Sequence, residues 1–224
     1  MNHLAGPSDA ALRLLRPLFG GRLSASQAAG LSQIWQLSDG MAGAARAYLL
    51  ATVFHETAQS MQPIREWGRG KGRAYGLVDH SGKAPYGRGY VQITWRDNYL
   101  RADRALGLQG RLAADYDLAL DPEIAGKILK QGMIQGWFTG KTLADYLQGE
   151  QASLALYVQA RRIVNGRDRA EAIAAHALVF EAALRQDVLQ KPSVAVPEAG
   201  PARAQNGLRA RLSQLVAKLW RAKI

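Results

Sequence analysis

At 224 residues and 48% hydrophobic content, the chain is long enough for one sizeable core plus an appendage. No uninterrupted apolar run approaches the roughly 18 residues needed to span a bilayer, and the absence of cysteine excludes a disulfide framework, fits synthesis in a reducing cytoplasm and equally tolerates an oxidising destination. A formal net charge of +11 implies an anionic partner, whether a cell wall, a membrane surface or nucleic acid.

In chain order, the N-terminal stretch MNHLAGPSDAALRLLRPLFGG carries arginines inside its apolar run and does not read as a secretory signal. Ser8 and Ser24 are suited to cap two helices. From Ala44 to about Ser60 there is no Gly or Pro, and the abundance of Ala and Leu predicts a third helix. Pro63 stops it from continuing. Val91-Gln92-Ile93-Thr94 alternates like a short strand, with Gly87 and Gly89 permitting a tight turn before it. Asp121-Pro122-Glu123 is a cap followed by proline at the first helical position. The helix it starts should turn Ile124, Ile128 and Leu129 inward and end near Gly136. Residues 151–163 and 168–186 give two more helices around an Asn165-Gly166 turn. There is no internal repeat.

After about residue 187 the composition changes. Residues 1–187 read as the catalytic domain, 188–207 as a Pro/Ala/Gly-rich linker and 208–224 as a basic helix. Leu208, Leu212, Leu215, Val216 and Leu219 share one helical stripe, and Arg209, Arg211, Lys218, Arg221 and Lys223 add charge with no acid among them. Such a helix binds an anionic outer-membrane surface or packs on its own domain.

Two glutamates carry the chemistry. Leu49, Thr52, Val53 and Glu56 share one helical face. A carboxylate on that core-facing stripe loses water and meets the negative end of the helix dipole, and both effects favour the protonated acid. Glu66 is set among Arg65, Arg69, Lys71 and Arg73, where cations favour the ionised form that activates water. Carboxylates in opposed environments suit acid/base cleavage of a glycosidic bond. The competing readings are a glutamate at a frayed helix end and a solvated loop charge. Alternation places Gln92 and Thr94 on one face, where an amide and a hydroxyl hold a water or a sugar hydroxyl. Asn98 and Tyr99 follow, and Trp95 is either a stacking surface or core.

Together, HET at 55–57, YGRGYVQITWRDNY at 86–99, GWFTG at 136–140 and RIVNG at 162–166 resemble glycoside hydrolase family 19, over about residues 44–184. The similarity is strongest to the compact phage-endolysin members that act on peptidoglycan. The resemblance implies a mainly α, lysozyme-like α+β fold with a small β-hairpin beside the active-site cleft, and an inverting hydrolase. It implies Glu56 as general acid, Glu66 as general base, and Thr94 as the residue that positions the attacking water. Gln92, Asn98 and Asn165 become substrate-binding or supporting residues. Tyr86, Arg88 and Trp137 are further candidates for glycan contact. An inverting enzyme needs its two carboxyl groups roughly 6.5–9.5 Å apart. Many relatives have a glycine pair after HET, whereas this chain has Ala58 and Gln59.

Other signals are weaker. GWFTGKT resembles a phosphate loop, but Gln135 stands where its first glycine belongs and no buried strand precedes it. His3, His55, His80 and His176 have no metal-ligand spacing. The expectation is a monomeric hydrolase of β-1,4 bonds in peptidoglycan glycan strands, with no metal, no cofactor and no nucleic-acid partner. It would be made in a host cytoplasm without a signal peptide and reach the periplasmic wall after holin-dependent release. The alternatives are a chitinase of the same mechanism, a non-catalytic wall- or membrane-binding protein, and a basic nucleic-acid binder.

Overall fold

Of the two units into which the chain divides, Met1–Gln190 and Lys191–Ile224, the computed structural model describes residues 6–190. The linker expected from residue 191 on and the basic helix expected at 208–224 lie outside the described residues. Residues 188–190, expected to open that linker, continue the last helix instead.

Serine capping starts the fold as the sequence predicts. The Ser8 hydroxyl accepts from the Ala11 amide at the head of α1 (Asp9–Leu15), and Ser24 forms a reciprocal capping box with Gln27 on α2 (Ala25–Leu37). Next comes α3 (Gly43–Glu56), which is buried almost all round, with Tyr48, Leu49, Leu50, Val53 and Phe54 all inside. A helix with no solvated face belongs at the centre of a domain. Then β1 (Ile64–Arg65) pairs antiparallel with β2 (Arg88–Gly89), with Ile64 opposite Gly89. After the hairpin come α4 (Arg96–Ala105), α5 (Arg111–Ala114), α6 (Pro122–Gln135), α7 (Leu154–Ala160) and α8 (Ala170–Gln190). Asp121 caps α6, and Gly136 ends it in a left-handed conformation.

Two apolar clusters result. The larger gathers α3 and α8 with α1 and α7 packed on them. The smaller joins Ile93, Tyr99, Ala102, Leu112, Tyr116, Ala119 and Ile128. Helix α6 serves both, with Ala125, Leu129 and Met133 in the first and Ile128 in the second. Helix α6 therefore marks the seam between these clusters.

Two local expectations need correcting. The third helix stops at Glu56 rather than near Ser60. Thr57 is the cause: its hydroxyl donates to the Val53 carbonyl at 2.7 Å and accepts from the Met61 amide at 3.1 Å, so the chain folds back on itself. Ala58, Gln59 and Met61 then take positive φ of 48°, 69° and 56°. The turn is clamped to α2, where a methyl group on Gly30 would stand 2.1 Å from the Met61 carbonyl oxygen. The second correction is that VQIT is not a strand. Gln92 and Trp95 have φ of 54° and 64°, and only Ile93 bridges back, to Arg88.

The helix exit generates a prediction. A left-handed L-residue costs roughly 1–2 kcal/mol, while glycine loses about 0.5–1 kcal/mol more than alanine on folding through entropy. Ala58 and Gln59 are exposed, so little packing is lost on truncation. Ala58→Gly and Gln59→Gly together should stabilise the protein by about 1 kcal/mol, read as a higher urea midpoint. An unchanged or lower midpoint would show that the turn is not strained.

Candidate active site

Glu56, the last residue of α3, points its Oε1 at a buried guanidinium. Arg161 Nη1 donates to it at 2.6 Å, with side chains 2% and 20% exposed for Arg161 and Glu56. The sequence argument counted lost water and the helix dipole and missed this cation. Arg161 follows α7, and its Nε donates to the Asp168 carbonyl at 3.0 Å. Tyr157 and Ala160 on the same helix are fully buried, and Arg161 lies four residues after Tyr157 on that stripe. Tyr157 in turn donates to the buried Glu181 of α8 at 2.7 Å, which fixes α7 and therefore Arg161. Burial pushes the Tyr48 hydroxyl up to about 12, so it stays protonated where it feels Glu56 and Arg161. His55 is held below the ordinary imidazole value, by burial first of all. No hydrogen bond joins it to Glu56 among the described residues.

Glu66 is held by neutral donors. The Tyr75 hydroxyl donates to Oε1 at 2.8 Å and the Gly87 amide to Oε2 at 3.0 Å, while the Glu66 amide donates to the Gly87 carbonyl at 2.8 Å. The hydrogen bond to Glu66 pushes the Tyr75 hydroxyl upward, so Tyr75 remains a donor. The expected cation cage is absent from ion-pair range among the described residues: Arg65 reaches Asp117 instead, at 2.9 Å. Gly87 has no room for a side chain, because a methyl there would lie 2.9 Å from Gln92 Oε1 and 3.2 Å from Glu66 Oε2. Glu66 and Gln92 therefore flank the same backbone.

Gln92 opens onto a cavity of about 150 Å³ that it shares with Thr94, Asn98, Arg101, Trp137 and Val164, among others. Val91, Phe138 and Val164 pack on the larger apolar cluster, and Ile93 and Trp137 belong to the smaller, so the cavity lies on the seam. The Gln92 amide donates to the Ile64 and Gly89 carbonyls, both at 3.1 Å, which locks the hairpin. Asn98 Nδ2 holds the Thr94 carbonyl at 2.8 Å, and the Thr94 hydroxyl has no partner among the described residues. Gln92 and Thr94 thus share a wall as expected, although the cause is a pair of left-handed residues and not strand alternation. Asn165 is exposed next to Val164, its Oδ1 accepting from the Gly166 amide at 2.8 Å.

Tyr86 and Arg88 are placed differently from the expectation of glycan contact. Both are buried, and the Arg88 guanidinium lies 3.6 Å from the Tyr86 ring centroid. Arg88 Nε reaches Asp117 at 2.6 Å and Nη1 donates to the Tyr86 carbonyl at 2.9 Å. A cation that deep must spend its donors on the protein, and it clamps the hairpin to the smaller cluster. Burial works against ionising Asp117, yet hydrogen bonds from Arg65 and Arg88 hold it below the usual carboxylate range. By contrast Trp95, 50% exposed, stacks edge-on against Tyr75, and Trp67 next to Glu66 is 94% exposed. Sequence reasoning singled out neither Tyr75 nor Trp67. An aromatic inside the glycine-rich loop after Glu66 was the available signal.

Removing one partner of the Glu56–Arg161 pair leaves a largely buried charge unmatched, at a cost of about 3 kcal/mol. Arg161→Gln should therefore lower the unfolding free energy by that amount, read as a lower urea midpoint, and Arg161→Lys should recover part of it. An Arg161→Gln variant as stable as the parent would show that the pair does not organise the site.

No family model and no curated protein sequence matches the chain. Solved structures do. Chitinase C from Streptomyces griseus superimposes with a TM-score of 0.54 at 21% identity, over 80% of this chain and 78% of that one. A glutamate-to-glutamine variant of chitinase C gives 0.50 at 22% identity, over 83% of this chain and 94% of that one. With its mainly helical body and two-stranded antiparallel sheet, the chain has the chitinase-like, lysozyme-type α+β fold.

Proposed function

We propose that the protein is a peptidoglycan-degrading glycoside hydrolase of endolysin type, cutting β-1,4 bonds between amino sugars with inversion. The observation that carries this reading is the pair of differently held carboxylates. Glu56 has Arg161 on one oxygen, and its Oε2 accepts nothing from the described residues. Glu66 is held by two neutral donors beside Gln92, at the edge of the polar cavity. In the reaction, Glu56 passes a proton from Oε2 to the leaving glycosidic oxygen. Glu66 takes a proton from a water that attacks the anomeric carbon from the opposite face. The spare lone pairs of Glu66 accept that water, and Thr94 orients it with its hydroxyl. Gln92 and Asn98 hold the wall around it, while Asn165 and Trp137 meet the sugar.

An anionic wall polymer suits a chain of net charge +11, and release by a holin into the periplasm followed by host lysis is the setting proposed. The second reading is a chitinase, favoured by the fold shared with chitinase C.

The test is digestion of purified murein sacculi and of chitin oligomers by wild type, Glu56→Gln and Glu66→Gln. Wild type should clear sacculi faster than it cuts chitin, and each variant should lose at least roughly 100-fold. Glu66→Gln should keep its melting temperature, while Glu56→Gln, which leaves the buried Arg161 without its partner, should melt lower but remain folded at the assay temperature. Faster cleavage of chitin would move the protein to the second reading. Full activity of Glu56→Gln would remove the catalytic assignment.

A further inference from the structure

Glycine and cation alternate just after Glu66, in Gly68-Arg69-Gly70-Lys71-Gly72-Arg73. The loop is not slack. The Lys71 amide donates to the Gly68 carbonyl, the Arg73 amide to Gly70 and the Gly76 amide to Arg73, at 2.9–3.0 Å. Gly70 also packs directly on the backbone of Gly76. Arg69, Lys71 and Arg73 are exposed on this braced loop, and none makes an ion pair among the described residues. Arg65 differs, because Asp117 neutralises it.

Two further cations repeat the pattern. Arg101 lines the cavity itself and spends one donor on the Trp137 carbonyl, at 3.2 Å, with no carboxylate in ion-pair range. Arg162, exposed beside the buried Arg161, also makes no ion pair among the described residues. Arg167 and Arg169 are less suited, because Asp168 and Glu171 lie among them. A neutral glycan gives five uncompensated cations nothing to bind. A glycan whose sugars carry peptides ending in carboxylates gives each of them a partner.

We propose that Arg69, Lys71 and Arg73 on the loop after Glu66, with Arg101 on the cavity wall and Arg162 beside Arg161, bind the carboxylates of the peptide stems on peptidoglycan and so select it over neutral amino-sugar polymers. This rests on the peptidoglycan reading and names the part of the substrate that the site recognises. Holding the cations on a hydrogen-bonded loop lowers the ordering cost of binding. Each exposed pair contributes modestly, so the effect lies in the sum.

The test compares wild type with the triple variant Arg69→Gln/Lys71→Gln/Arg73→Gln on two substrates, native sacculi and sacculi whose carboxylates have been amidated with carbodiimide and ammonia. On native sacculi the triple variant should need about fivefold more substrate for half-saturation, with kcat unchanged. Arg69→Lys/Arg73→Lys should behave as wild type, since charge and not shape is required. On amidated sacculi, wild type should show at least that rise, because Arg101 and Arg162 lose their partners too, and the triple variant should there match wild type. If wild type digests both preparations with equal half-saturation, or the triple variant matches wild type on native sacculi, the inference fails while the peptidoglycan reading stands. If wild type digests neither, both fail.

Discussion

The Glu56–Arg161 ion pair is the constraint on which the rest of the site depends. A guanidinium with almost no exposure has left water and must be matched, since the effective penalty is several kcal/mol per ion. Matching it at 2.6 Å ties the end of α3 to the segment that follows α7. That segment continues into Val164 on the cavity wall and Asn165 beside it. Tyr157 and Glu181 then carry the constraint into α8, which packs along α3. One charge pair thus sets where the first carboxylate stands relative to the surface that would meet a sugar.

The second carboxylate depends on a different kind of support. Glu66 is fixed by a phenol and a backbone amide, and the hairpin that supplies the amide is itself locked by Gln92 and by the Arg88–Asp117 clamp. Every piece of that arrangement is neutral at Glu66 or paid for elsewhere, which leaves its oxygens able to accept from water. Glu56 meets a cation and Glu66 meets neutral donors, so the two carboxylates stand in different surroundings. The cavity lies on the seam between the two apolar clusters, and α6 contributes to both.

Much of the scaffold was legible because it follows local rules. Ser8, Ser24 and Asp121 cap helices where the sequence puts them, and Gly136 ends α6, since capping depends on residues only a few positions apart. The helix around Glu56 was legible too, but not its end: a threonine hydroxyl at Thr57 and two left-handed residues stop it four residues early. Ala58 and Gln59, noted in the sequence as a departure from a glycine pair, take the backbone conformation that glycine favours. Arg161 was missed because its partner is 105 residues away, although its spacing from Tyr157 marked it as inward-facing. Arg88 was read as a candidate for glycan contact because of its place near the motif, and only three-dimensional packing shows it buried against Tyr86. Long-range pairing, invisible to periodicity, decides which charges work on substrate and which hold the fold.

The most direct test of the two-carboxylate account is mass spectrometry of the glycan fragments released from sacculi. A base that activates water must leave its mark on the product, because hydrolysis adds one water at each cut. The account predicts fragments ending in ordinary reducing amino sugars, each carrying that added mass. Fragments ending in 1,6-anhydro sugars, formed without water, or intact glycan strands stripped only of peptides, would contradict it.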